Sequence, residues 1–229
     1  MLDTRLIIVE GVMGSGKSTM SKLIAQRLRH HRSKAKLVPE SFRDHPVSVT
    51  RTLTYWHQIL VEHTFDTFTT QSQQNWNTFV STALLTPTVS VFDGQFFHGD
   101  MTSLFIANAS RIQLIQYIDS IVEIIQPLRP IFIYLYQADV AAGLQRTVAL
   151  RSKSWLRRQI EWKVDSPYGR ERKYSGVEGW IQLYRDFRIL TDELYTRLPM
   201  PKIAIDNSAG VWSDYEAQIF AFLGLSNPK

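Results

Sequence analysis

Short apolar runs alternate along the chain with longer stretches in which apolar residues recur every three or four positions. Apolar runs of four to six residues, rich in β-branched side chains, have the length of buried strands. Apolar spacing at i, i+3 and i+4 marks helices with one buried face. Arg5 to Glu10 predicts a first strand. Lys17 to His30 predicts a helix through Met20, Leu23, Ile24, Arg27 and Leu28. Lys34 to Pro39 predicts a second strand, and Thr52 to Leu85 is mostly helical. Thr88 to Asp93 is a third strand. Met101 to Gln126 predicts one helix, with Ile112, Ile115, Ile118, Val122 and Ile125 on one stripe and Pro127 closing it. Ile131 to Tyr136 is the most apolar strand. Asp139 to Trp162 predicts a helix, and Asp165 to Gly176, with Pro167 and Gly169, a loop. Glu178 to Leu198 is a helix, Lys202 to Asp206 a fifth strand, and Trp212 to Leu223 the last helix. Strands alternating with helices predict an α/β fold, a five-stranded parallel sheet with helices on both faces.

The 229 residues suit one domain, residues 1–229, with a mobile segment within it. The 44% hydrophobic and 21% charged content excludes a disordered, collagen-like or coiled-coil chain. The absence of cysteine removes disulfides, a thiol nucleophile and cysteine-ligated zinc, and is compatible with a reducing, cytoplasmic setting. The apolar run Leu6 to Val9 is too short for a signal-peptide core, and no run approaches the ~20 residues of a membrane span.

The net charge of +5 changes the picture once it is located. Residues 146 to 173 hold nine cations against three acids, a net of +6, so the remainder of the chain is close to neutral. Residues 52 to 110 have no Lys or Arg and ten aromatic residues. A localised cationic segment fits a small polyanion better than nucleic acid or a membrane surface.

Gly11-Val12-Met13-Gly14-Ser15-Gly16-Lys17-Ser18-Thr19 matches G-x-x-x-x-G-K-[ST], between a predicted strand and a predicted helix. Glycines there let successive N–H groups turn inward onto phosphate oxygens, and the helix N-terminus adds partial positive charge. Lys17 reaches the β- and γ-phosphates of a nucleoside triphosphate, and Ser18 offers a hydroxyl to Mg²⁺. ATP and Mg²⁺ are the cofactors this loop implies, with Gly11, Met13, Gly14, Ser15, Gly16, Lys17, Ser18 and Thr19 around the nucleotide.

This loop, and the order of elements after it, resemble the nucleoside and nucleotide kinases of the P-loop class, such as thymidylate, deoxynucleoside and adenylate kinases. The resemblance implies a three-layer P-loop fold and phosphoryl transfer to a small molecule. Val89-Ser90-Val91-Phe92-Asp93-Gly94 puts an acid at a strand end, similar to the Asp-Gly of adenylate kinases, and makes Asp93 a second Mg²⁺ ligand beside Ser18. Thymidylate and deoxynucleoside kinases have an arginine after that acid, where this chain has Gly94. Leu37-Val38-Pro39-Glu40 places Glu40 where deoxynucleoside kinases have the base for the substrate hydroxyl. Glu40 and Asp93 compete for the roles of base and metal ligand, and Arg43 and Arg51 follow as candidate anion clamps.

Residues 146 to 176 resemble the lid of these kinases, with Arg146 and Arg151 the foremost candidates to neutralise the transferring phosphoryl group. The aromatic, cation-poor stretch suits a neutral acceptor stacked on Trp56, Phe96 or Phe97. Asn207 lies in the turn after the last strand, the place that flanks the nucleotide base. The expected function is γ-phosphoryl transfer from ATP to a hydroxyl of a nucleoside-like or natural-product acceptor. A nucleoside monophosphate kinase, a polynucleotide kinase or RNA-modifying ATPase, and an NTP-dependent switch without an acceptor stay open as alternatives. The expected partner is a small molecule, with no membrane and in preference to nucleic acid, and a homodimer is compatible with the sequence.

Overall fold

The computed structural model describes residues 3–40, 45–49 and 65–225. Five strands form one parallel sheet: β1 (Leu6–Glu10), β2 (Ala35–Val38), β3 (Val89–Asp93), β4 (Ile131–Tyr136) and β5 (Lys202–Asp206), in the order β2-β3-β1-β4-β5. Every residue of β1 is buried, because β1 is central and covered on both faces. Alternate side chains serve opposite layers. Ile7 and Val9 pack with Met20, Ile24 and Leu28 of α1 (Lys17–His30) and with Ile219 and Phe220 of the last helix (Trp212–Phe222). Leu6 and Ile8 face the larger core, which takes Trp76 from α2 (Phe65–Leu84) and Phe92 from β3.

Two predicted helices are each divided. Met101 to Gln126 becomes α3 (Asp100–Ile106) and α4 (Arg111–Ile125). Asn108 turns the chain at φ 66°, and Ser110 starts α4 with a capping box to Gln113. The capping box satisfies the N–H groups of a second helix start, so the helix breaks before Ser110. The buried stripe of α4 is Leu114, Tyr117, Ile118, Ile121, Val122 and Ile125, and Ile112, assigned to that stripe by periodicity, is 67% exposed. Asp139 to Trp162 likewise becomes α5 (Val140–Ala149) and α6 (Lys153–Val164), because the Ser152 hydroxyl accepts from Trp155 N–H and caps a new start. The expected loop after it contains α7 (Pro167–Glu171), begun by Ser166 with proline in its first turn. Then follow α8 (Gly176–Arg197) and, after β5, α9 (Trp212–Phe222). The start of the helix expected from Thr52 lies outside the described residues.

A buried carboxylate ties the outer helices together. Asp100 Oδ2 accepts from Ser72 Oγ at 2.7 Å, and Asp100 Oδ1 from Val49 N–H at 3.1 Å. Ser72 Oγ lies 2.9 Å from Tyr117 OH. Burial, then the Asp100 charge, pushes the Tyr117 phenol well above its ordinary range, so it stays a neutral donor. Asp100→Asn keeps the volume and removes the charge. It is expected to cost about 2 kcal/mol in urea unfolding, the value of charge-assisted bonds in a dry site. A loss below a few tenths would show that Asp100 holds nothing.

Candidate phosphate-binding and transfer site

The parallel strands point their carboxyl ends the same way, and the crevice of such a sheet opens there, where the chain order reverses between β1 and β3. The loop after β1 turns directly into α1. Gly16 stands at φ 87° with the ring of Trp212 over it, and a Cβ there would sit 2.1 Å from that ring. Gly14, at φ 81°, has α5 against it, and a Cβ would meet Thr147 Oγ1 at 2.2 Å. Only glycine fits either place. The Asn207 side-chain amide donates to the Ser15 carbonyl. Expected to flank the nucleotide base, Asn207 therefore braces the phosphate loop from behind. Its Oδ1 and Ser15 Oγ are buried without hydrogen-bond partners among the described residues.

Behind the loop lies a charge that motif reading passes over. Glu10 is fully buried. Its Oε1 accepts from the N–H groups of Phe96, Phe97 and His98 at 2.8, 2.7 and 3.3 Å. Its Oε2 meets His98 Nδ1 at 3.1 Å and the Gly11 N–H at 3.3 Å. Burial pushes the carboxyl up, but the His98 contact, the Lys17 cation and the Phe97 N–H outweigh it and hold Glu10 below its usual range. An acid ending an otherwise apolar strand, LIIVE, was the available signal.

This brace sets the turn after β3, and so the catalytic candidates. Lys17, Glu40 and His98 converge on Gly94: its absent side chain would begin 3.4 Å from Glu40 Oε2, 3.5 Å from His98 Cβ and 3.6 Å from Lys17 Cε. Asp93 lies beside Val9 in the register of β1 and β3. Burial chiefly raises the Asp93 carboxyl; the Ser18 hydroxyl and Lys17 oppose, and the Glu40 and Glu10 charges add to the rise. Asp93 Oδ1 is buried with no partner among the described residues. A buried carboxylate oxygen without a donor, next to a serine hydroxyl, is a fitting donor set for a hard cation such as Mg²⁺.

The cationic segment divides. Arg146 and Arg151 are exposed, Arg146 one residue before the Thr147 that touches Gly14, and Arg151 over the Trp155 ring at 5.7 Å. Arg172 lies 3.6 Å from the centre of Tyr168 and bonds Asn108 Oδ1. Lys163, unremarked in the run of nine, is 4% exposed. Its Nζ donates to Tyr184 OH at 2.7 Å, and that hydroxyl lies 3.8 Å from Met13 Sδ in the phosphate loop. Burial pushes the Lys163 ammonium down to about 8; Glu40 opposes this and Lys17 adds to it.

The expected acceptor side changes. Phe96 and Phe97 are each 1% exposed. Both rings pack on Phe132, at 5.4 and 5.2 Å, so they fill the core rather than line a pocket. Aromatic content cannot separate stacking from packing, and here the Glu10 bonds to their N–H groups turn both rings inward. Arg43, Arg51 and Trp56 lie outside the described residues.

No family model matches the sequence, and no curated protein matches it. The chain is similar in fold to deoxyadenosine kinase from M. mycoides with products dCMP and a flexible dCDP bound. The TM-score is 0.51 at 16% identity, covering 96% of this chain and 98% of that one. The same kinase with bound dATP gives 0.48 at 17% identity, covering 94% and 98%. YorR protein from Bacillus subtilis, in complex with phosphorylated GDP, gives 0.48 at 12%, covering 96% of each chain. The five-stranded parallel α/β fold is thus one this chain shares with that deoxyadenosine kinase. Among the described residues, no helix is long and apolar enough to cross a membrane.

Two stability measurements test the buried charges. Glu10→Gln is expected to cost about 3 kcal/mol at neutral pH, as for breaking a buried pair. Because the native carboxyl titrates below its unfolded value of 4.5, that contribution is complete above pH 4.5 and is lost as pH falls below it. The difference between wild type and variant must therefore shrink in acid. Lys163 has the opposite sense. Its native ammonium titrates lower than the unfolded 10.5, so it penalises folding below pH 8. Lys163→Met is expected to gain ~3 kcal/mol at pH 7, with the gain vanishing towards pH 10.5. A pH-independent difference contradicts either assignment.

Proposed function

We propose that the protein is an ATP-dependent phosphotransferase that moves the γ-phosphoryl group of ATP to a hydroxyl of a small molecule, nucleosides being the first class to test. The observation that carries this reading is the convergence of Lys17 and Glu40 on the bare Gly94, with Asp93 and Ser18 beside them. A donor cradle and a candidate base thus flank one small volume. The fold shared with deoxyadenosine kinase supports the nucleoside class.

In this reading the loop N–H groups and Lys17 hold the triphosphate. Ser18 and Asp93 hold Mg²⁺, which supplies positive charge to the β- and γ-oxygens when bound. Glu40 orients the acceptor hydroxyl and takes its proton as the oxygen attacks the γ-phosphorus. The bond from that phosphorus to the bridging oxygen breaks, and ADP leaves. Arg146 and Arg151 of the 146–176 segment close over the phosphates and exclude water, which otherwise competes as acceptor.

The test is turnover with ATP, Mg²⁺ and separate pools of nucleosides, nucleoside monophosphates, sugars and aminoglycosides, read by product mass. Lys17→Ala is expected to lower kcat about 100- to 1,000-fold, as for removal of a preorganised charge donor. Glu40→Gln is expected to lower kcat about 100-fold with the KM for ATP unchanged. Undiminished product from Lys17→Ala would overturn the mechanism. Preference for monophosphates would move the reading to a nucleotide kinase.

A further inference from the structure

The reaction as described makes no use of Lys163, the best-buried cation of the 146–173 run. It lies in the last turn of α6, enclosed by the rings of Tyr184 and Trp162 at 4.6 and 4.9 Å, and donates to Tyr184 OH. It forms no ion pair with a carboxylate among the described residues. Three links place it towards the site. Tyr184 OH touches Met13 of the phosphate loop, Glu40 acts on both Lys163 and Tyr184, and Lys17 acts on Lys163.

A buried ammonium that bonds only a neutral hydroxyl and ring faces among the described residues is costly; the Glu40 charge offsets part of that cost, and Lys17 adds repulsion. A methionine or leucine would pack between the two rings without either cost. The charge is accounted for when an anion enters between the two lysines. The residue after Asp93 is Gly94, so the arginine that thymidylate and deoxynucleoside kinases carry there is missing, and Glu40, His98 and Lys17 stand at van der Waals distance from where its Cβ would be.

We propose that Lys163 is a catalytic residue whose ammonium bonds an oxygen of the transferring phosphoryl group, doing from α6 the work of the arginine absent at Gly94. This rests on the phosphoryl-transfer reading above. In the step, the acceptor oxygen bonds the γ-phosphorus and its proton passes to Glu40. The bridging P–O bond breaks and its electron pair leaves with ADP. Lys163 keeps its three protons throughout and stabilises charge on the non-bridging oxygens.

The experiment uses the full chain with Lys163→Met, Lys163→Arg and Tyr184→Phe. It has two readouts: kcat with the best acceptor, and the rise in Tm on saturation with a non-hydrolysable ATP analogue and Mg²⁺. Lys163→Met is expected to have a higher Tm than wild type without ligand, a smaller ligand-induced rise, and a kcat about 100-fold lower. Lys163→Arg recovers part of the kcat. A merely structural lysine predicts the reverse: a lower Tm, and activity lost only in step with the folded fraction. Equal ligand-induced rises in wild type and Lys163→Met overturn the proposal, as does wild-type kcat in that variant. If wild type phosphorylates no acceptor yet gains more from the analogue than Lys163→Met, the anion site stands and the transfer reading falls. Should Lys163→Met not fold, Tyr184→Phe, which removes the hydroxyl that fixes the ammonium, carries both readouts.

Discussion

A single carboxylate in the dry centre of the sheet holds the site together. Glu10 ends the central strand, and all its acceptor capacity goes to the turn that follows β3 and to the first N–H of the phosphate loop. Isolated, a fully buried carboxylate would be driven to protonate. Four backbone N–H groups, the His98 ring and the nearby Lys17 keep it ionised instead. Two loops that never meet in sequence are thereby fixed to one charge. Moving either loop would leave that charge unpaired, and the rigidity of the site follows from this cost.

The other features of the site can be read as responses to that charge. Lys17 lies near Glu10 on one side and near Asp93 and Glu40 on the other. Three carboxylates there, Glu10, Glu40 and Asp93, face two lysines, Lys17 and Lys163. The phosphate loop is fixed at several points: Asn207 at Ser15, Thr147 at Gly14, Trp212 at Gly16 and Tyr184 at Met13. α5, the turn after β5, α8 and α9 each contribute one of these contacts. Preorganisation of this kind lets fixed dipoles act on developing charge without rearrangement.

The strands were legible because burial on both faces writes continuous apolar runs, as in LIIVE and IFIYLY. The glycine-rich turn between β1 and α1 was legible because its signal is local. Helix breaks were harder. Ser110 and Gln113 spell a capping box, and Ser152 a cap, yet the apolar spacing carried on across both. Pairings across the fold were not legible at all. Glu10 meets Phe96 only through the register of β1 on β3, 86 residues apart. Lys163 reads as one more surface cation until α6 is laid on α8. Phe96 and Phe97 mislead for the same reason, since a ring that stacks on a ligand and a ring that fills a core have the same letter.

The central claim is that one small volume at Gly94 passes a phosphoryl group directly from ATP to an acceptor hydroxyl. ATP carrying heavy oxygen at the non-bridging γ positions tests it most directly, with wild-type protein, Mg²⁺ and mixed acceptors, every phosphorylated species being read by mass. The account predicts a phosphate ester that keeps all the heavy γ-oxygens and takes its bridging oxygen from the acceptor. Heavy label recovered only in inorganic phosphate, whatever acceptor is present, would contradict it.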